Sequence, residues 1–200
     1  EDIDFDSLPD KFVLKTNHSG GNTGVIVCKD KSKLNKQDAI NKLNKSLRSD
    51  ISVSLREWVY EGMKKQVFAE ALLESSTGDI DDYKFYCFDG EPKAMLVASG
   101  RYIEPETCFD YFDMEFNHFP FEQGGPNYHK PIEKPLLFEE MKEVAAKLSQ
   151  NLIHARIDLY EVNGMVKFGE ITFFDSSGFA EFKPKEWDYT FGSWIKLPTE

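Results

Sequence analysis

The chain is poor in the residues from which many sites are built. Its three cysteines, Cys28, Cys87 and Cys108, show no Cys-x-x-Cys spacing, which argues against a disulfide framework or a thiolate zinc site and suits a reducing cytoplasm. Its four histidines, at 18, 118, 129 and 154, give no His-x-x-x-His ligand pair. No run of 18 apolar residues is present to span a membrane, and the start has no signal-peptide pattern. Positive charge is also scarce: 24 Lys and Arg against 35 Asp and Glu give a net charge of −11, which argues against a nucleic-acid backbone as the main partner. Nucleotides are not excluded, because Mg²⁺ joins acids to phosphates. Neither the GxxxxGK[ST] phosphate loop nor a GxSxG nucleophile turn occurs.

What is present is a core's worth of apolar residues, 40% of the chain with 17 Phe, enough for one large domain or two small ones. Residues 12–15 (FVLK) read as a strand, 16–24 as a glycine-rich loop and 25–28 (VIVC) as a returning strand. Residues 35–47 carry Ala39, Ile40, Leu43 and Leu47 at helical spacing. Residues 66–73 (QVFAEALL) read as a strand, and 83–88, Asp89-Gly90 and 92–99 as a β-hairpin. Four prolines make 101–134 a long irregular loop, residues 136–148 read as an amphipathic helix, and the tail from Phe179 is polar and aromatic. The order predicts an α+β fold of two small mixed units with mostly antiparallel sheets and a ligand between them. The chain begins at Glu1 rather than Met, and its opening reads as a linker, so an upstream segment is expected.

The richest stretch is residues 155–178, ARIDLYEVNGMVKFGEITFFDSSG, two strands around a tight turn. Arg156 and Asp158 share a face of the first strand, Glu170 and Thr172 a face of the second, because side chains alternate along a strand. The turn decides whether those faces coincide. A two-residue Asn163-Gly164 loop puts Asp158 opposite Gly169 and sends Glu170 to the other side. A three-residue loop from Val162 to Gly164, with Gly164 left-handed, puts Glu161 opposite Met165 and Glu170 opposite Arg156. The second register is the expected one, since it gathers Ile157, Leu159, Ile171 and Phe173 on one apolar face. Two acids beside an Arg on adjacent strands suit a hard cation such as Mg²⁺, with Arg156 countering charge on a transferring group. A surface hairpin with an ion pair that contributes little reads equally well from these residues alone.

Other pieces are weaker. Lys15 precedes the loop His18-Ser19-Gly20-Gly21-Asn22-Thr23-Gly24, whose backbone N–H groups suit phosphate oxygens. Residues 68–74 and Asp82-Tyr83-Lys84 offer an extended edge for an adenine and acids (Glu70, Glu74, Asp82) for ribose hydroxyls. Asp79-Ile-Asp81 is a D-x-D triplet of the kind metal-dependent glycosyltransferases use, and Asp2-Ile-Asp4 is a second.

Together, the Lys15 strand and glycine loop, AEALLE, DYKFYCFDGEPK and RIDLY…GEITFFDSSGF resemble the ATP-grasp superfamily, and within it the TupA-like branch associated with teichuronopeptide and cell-surface polysaccharide synthesis. The likeness covers roughly residues 9 to 192. It implies a small subdomain at 9–75 carrying the glycine loop and a large one at 76–192 carrying the metal hairpin, with a further upstream unit not found in this chain. It implies ATP and Mg²⁺ as cofactors: Lys15 and Lys84 on phosphates, the loop from His18 through Ser19, Gly20 and Gly21 over them, and the backbone of 70–73, including Leu72 and Leu73, on adenine. Glu70 or Asp82 would lie near adenine or ribose, Asp158, Glu170 and Thr172 on metal, and Arg156 on the transferring phosphoryl. Thr172 stands where many relatives have Asn, and Ser176-Ser177-Gly178 where many have Pro-Gly. The implied activity is a cytoplasmic carboxylate–amine (or thiol) ligase acting through an acyl phosphate. Its partners would be a small or glycan-linked acid and an amine, with no nucleic acid and no membrane insertion. A metal-dependent glycosyltransferase using Asp79 and Asp81, and a non-catalytic nucleotide-binding module, are the alternatives.

Overall fold

The computed structural model describes residues 3–75, 80–99 and 107–198. Asp79 and Asp2, one member of each D-x-D triplet, and residues 101–106 of the long loop lie outside them. The chain divides into two compact units, Glu1–Leu73 and Glu74–Glu200.

In the first unit, β1 (Phe12–Thr16) is the middle strand of an antiparallel sheet, flanked by β2 (Val25–Cys28) and β3 (Val67–Ala71). Helix α1 (Lys36–Arg48) starts where Asn35 accepts from the Asp38 backbone N–H at 3.2 Å, a cap that replaces a missing helical partner. Its apolar stripe buries Ala39 and Leu43 against Phe12, Leu14 and Cys28. A short helix α2 (Ile51–Ser54) follows. Strand β3 ends at Ala71, so Leu72 and Leu73 lie just past it, half-buried.

The second unit is a five-stranded antiparallel sheet in the order β6-β5-β4-β7-β8. Its strands are β4 (Asp82–Phe88), β5 (Glu91–Ser99), β6 (Cys108–Phe112), β7 (His154–Val162) and β8 (Met165–Thr172). Helix α3 (Phe138–Leu148) covers one face, packing Phe138, Met141 and Ala145 on Phe85, Met95, Ile157 and Leu159. The other face carries an aromatic layer of Tyr86, Phe88, Tyr111, Phe121 and Phe191, Phe191 coming from α4 (Glu186–Ser193). With both faces covered, every residue of β4 is buried, Asp82 and Lys84 included.

Two sequence expectations change, and a stretch left unassigned gains a helix. The segment 101–134 is not wholly irregular, because β6 pairs with β5 there. The tail contains α4, whose aromatic residues close the second core. The 155–173 turn is the two-residue Asn163-Gly164 loop, with Val162 opposite Met165. Both turn residues are left-handed, at φ 51° and 73°, the mirror-type turn whose twist matches a hairpin. Glu170 opposes Asp158 rather than Arg156, and Thr172 opposes Arg156. A bulge between Asp158 and Leu159 in the pairing absorbs Gly169 and returns Glu170 to the face of Asp158. The sequence signal was Gly169 itself, since an isolated glycine in a strand marks a bulge. A Cβ there would stand 2.9 Å from the Asp158 carbonyl oxygen and 2.9 Å from the Tyr160 ring.

Candidate functional site

The pairing of β4, β7 and β8 sets two rows of side chains on the face opposite α3. Lys84, Asp158 and Glu170 form one row, and Tyr86, Arg156 and Thr172 the next. Alternation on each strand does this, because the intervening Phe85, Ile157 and Ile171 belong to the core beneath α3.

Asp158 is 1% exposed and is held by two cations. Its Oδ1 accepts from Arg156 Nε at 2.8 Å, and its Oδ2 from Arg156 Nη2 at 3.0 Å and from Lys84 Nζ. Lys84 also pairs with buried Asp82 at 2.8 Å. Arg156 Nη2 donates to Glu170 Oε1 at 3.2 Å and Thr172 Oγ1 at 3.1 Å, and Nη1 donates to Asp175. The second oxygen of Asp175 accepts from the Tyr86 hydroxyl at 2.6 Å. Burial pulls the Arg156 guanidinium toward neutrality, but the charges of Asp158 and Asp175 and the Asp158 hydrogen bonds outweigh it and raise its pKa. The Tyr86 phenol is raised well above its ordinary value, by burial first and then by Tyr111 and Asp175, so it remains a neutral donor. Lys84 and Arg156 are thus set among four carboxyl groups, those of Asp82, Asp158, Glu170 and Asp175.

Among the described residues, no three His, Cys, Asp or Glu side chains converge as a ready-made metal cage. That donor set does not suit zinc or an all-protein calcium shell. It does suit Mg²⁺, which takes one or two carboxylates and fills its octahedron with water and phosphate oxygens. Asp158, Glu170 and the Thr172 hydroxyl are the oxygens available, and Glu170, its side chain 63% exposed, is the one open to solvent.

In the first unit, Lys15 Nζ meets Glu70 at 2.6 Å, their side chains 32% and 40% exposed. Such a pair contributes at most about 1 kcal/mol and exchanges readily for an anion. The lysines expected on phosphates and the acids expected near adenine or ribose are therefore paired with one another: Lys15 with Glu70, and Lys84 with Asp82. The glycine loop is fastened from below. Thr16, Ser19 and Ser46 join their hydroxyls, Ser19 to Ser46 at 2.7 Å and Thr16 to Ser46 at 2.9 Å, with Thr16 also bonded to Ser19. His18, 2% exposed, places Nε2 3.1 Å from the Ser46 carbonyl. The side chains of His18 and Ser19 thus face inward onto the end of α1, and Gly20 and Gly21 stand in open space. Any phosphate contact from His18 or Ser19 in this arrangement is through backbone.

Gly24 seals this fastening. It is left-handed at φ 72°, and a Cβ on it would lie 2.3 Å from the hydroxyl oxygens of both Thr16 and Ser46. Gly24→Ala is expected to displace the loop and cost about 1–3 kcal/mol, which chemical denaturation checks.

Asp175, Tyr86 and Gly169 were not singled out by sequence reasoning as site residues. Asp175 follows β8 with no periodic signal, and Tyr86 reads as core.

The sequence family described as TupA-like ATPgrasp matches residues 1–196. No curated protein matches the sequence. Among solved structures, D-alanine–D-alanine ligase from Bacillus anthracis complexed with ATP is similar at 17% identity and a TM-score of 0.52, over 98% of this chain and 55% of that one. A second structure of D-alanine–D-alanine ligase from Bacillus anthracis gives 20% identity and a TM-score of 0.50, over 98% of this chain and 57% of that one. The chain thus spans little more than half the length of these ligases, and the likeness is one of fold.

Proposed function

We propose that this chain, which belongs to the TupA-like ATP-grasp family, carries the Mg-nucleotide machinery of an ATP-dependent carboxylate–amine (or thiol) ligase. The observation that carries the reading is the direct opposition of Asp158 and Glu170 across β7 and β8 with Arg156 bonded to both. Mg²⁺ held by Asp158, Glu170 and Thr172 would neutralise phosphate charge. With Mg²⁺ bound there, Lys84 would be the cation nearest to contact phosphate oxygens, and the Nε and Nη2 edge of Arg156 would face the transferring phosphoryl. In the first unit, Lys15 and the exposed backbone of Gly20 and Gly21 supply the charge and donors of a phosphate cradle, and the end of β3 through Leu73 supplies the extended edge for an adenine.

In the proposed reaction a carboxylate oxygen attacks the γ-phosphorus and ADP leaves. The amine nitrogen then attacks the acyl carbon, phosphate leaves, and the nitrogen gives up a proton. The proposed acceptor is an acid of cell-surface polysaccharide or teichuronopeptide synthesis, on family resemblance, and the proposed setting is the cytoplasm, where ATP is supplied. No helix among the described residues is long and apolar enough to cross a membrane. We also read residues 9–75 and 76–192 as the small and large ATP-grasp subdomains.

Thermal shift separates this reading from its rivals. Mg-ADP and Mg-ATP are expected to raise the melting temperature by several degrees, as a ligand at about 100 times its Kd adds about 2.7 kcal/mol. Asp158→Asn and Glu170→Gln are each expected to lose that shift. Stabilisation by a Mg-UDP-sugar instead would overturn the ligase in favour of a glycosyltransferase. Adenine-nucleotide binding with no ADP release across a panel of acids and amines, tested on the longest natural form of the protein, would mark a binding module.

A further inference from the structure

We infer that Asp175 is a positioning residue, which keeps Arg156 aimed at the transferring phosphoryl group once a divalent cation has taken Asp158 and Glu170. This inference rests on the ligase reading above and deepens it.

The argument begins with what Arg156 would lose. Its Nε and Nη2 bonds run to Asp158, Glu170 and Thr172, the same three oxygen donors that fit Mg²⁺. Charge and geometry do not allow those carboxylates to serve both cations fully. A guanidinium stripped of them on a buried strand would swing away, or would pull on Asp158 against the metal. Nη1 is the exception. It is bonded to Asp175, which lies beyond β8 and outside the Asp158–Glu170 row.

Asp175 is itself held. Its second carboxylate oxygen accepts from the Tyr86 hydroxyl at 2.6 Å, and Tyr86 is buried within the aromatic layer, with Phe191 edge-on at 5.8 Å. The backbone after Asp175 turns through three successive left-handed residues, Ser176, Ser177 and Gly178, at φ 48°, 56° and 74°. Two of these are not glycine, a conformation that costs about 1–2 kcal/mol per residue and persists where the surroundings over-determine it. Strand β8 ends at Thr172, and Asp175 stands between it and this turn with its carboxylate on Nη1. One carboxylate therefore joins a rigid phenol to the far edge of the guanidinium, leaving the Nε–Nη2 edge for a ligand.

The test uses the full chain, Mg-ADP, and Mg-ADP with aluminium fluoride as a mimic of the transferring phosphoryl. Wild type is expected to bind Mg-ADP and to bind it about tenfold more tightly or better with aluminium fluoride. Asp175→Asn is expected to bind Mg-ADP within about threefold of wild type, to need the same Mg²⁺ concentration for half-saturation, and to lose the aluminium-fluoride gain. Asp175→Glu is expected to restore part of it. Tyr86→Phe, which deletes one oxygen, should show the same selective loss in smaller measure, and serves if Asp175→Asn does not fold. A full aluminium-fluoride gain in Asp175→Asn would overturn the inference and leave the ligase reading standing. So would a raised Mg²⁺ requirement, which would make Asp175 a metal ligand, or a wild type that binds Mg-ADP and gains nothing from aluminium fluoride. Failure of wild type to bind Mg-ADP would remove both.

Discussion

Replacing Asp158 with Ala is expected to lower the stability of the second unit by about 3 kcal/mol and to abolish Mg-dependent nucleotide binding. The carboxylate is 1% exposed and neutralises two side chains that are themselves about nine-tenths buried, Lys84 and Arg156. Removing one partner from a buried ion pair costs about 3–5 kcal/mol, because the other charge stays out of water. Here the lower end applies, since Lys84 keeps Asp82 and Arg156 keeps Asp175. A fall of roughly 10 °C in the ligand-free melting temperature follows for a unit of this size. Asp158→Asn preserves shape and some hydrogen bonding, so it should lose less stability and as much Mg-nucleotide binding. Stability and binding that fell together in strict proportion across the two variants would show that Asp158 serves the fold alone.

The second large effect is expected at a residue with no chemistry. Gly169→Val should remove Mg-nucleotide stabilisation and cost about 1–3 kcal/mol. Any Cβ at 169 meets the backbone oxygen of Asp158 at 2.9 Å and the ring of Tyr160 at the same distance. The carbonyl cannot move aside as a flexible side chain could, so β8 must shift relative to β7. That shift acts on the pair the bulge exists to align, Asp158 with Glu170. Phe168→Thr, one residue away and 56% exposed, is the control, expected within about 0.5 kcal/mol of wild type with nucleotide binding intact. Titration of Mg-ADP by calorimetry on both variants decides it.

Much of the fold was legible because the strongest patterns were local. The Ala39-Leu43 stripe of α1, the Asp89-Gly90 hairpin and the face of α3 each follow from spacing and turn chemistry. Strand β6 and helix α4 were not legible. CFDYF has apolar residues on both faces and lies in a proline-rich stretch, and only its pairing with β5 makes it a strand. EWDYTFGS has weak helix formers, and its helix is held by Phe191 and Trp187 packing into the aromatic layer. The candidate site was legible as residue types, Arg-x-Asp and Glu-x-Thr, but the register proposed for them was wrong. The shared face of Asp158 and Glu170 was reached through a different turn than the structure uses.

By itself, then, the sequence determined an acidic α+β chain of the ATP-grasp family and supplied the side chains proposed for a metal and phosphate site. Period-two alternation and turn residues act over a few positions, so they are written locally. The tertiary structure decided the two-residue turn and the bulge at Gly169 that brings Glu170 opposite Asp158, the burial that makes Lys84 a partner of Asp82 and Asp158, and the return of the chain that sets Asp175 on Arg156. Each depends on a partner far away in sequence, Asp175 lying 89 positions from Tyr86 and Lys84 lying 74 from Asp158. No local pattern carries such a pairing, because its energy exists only once the sheet has formed and water has left the face on which these charges meet.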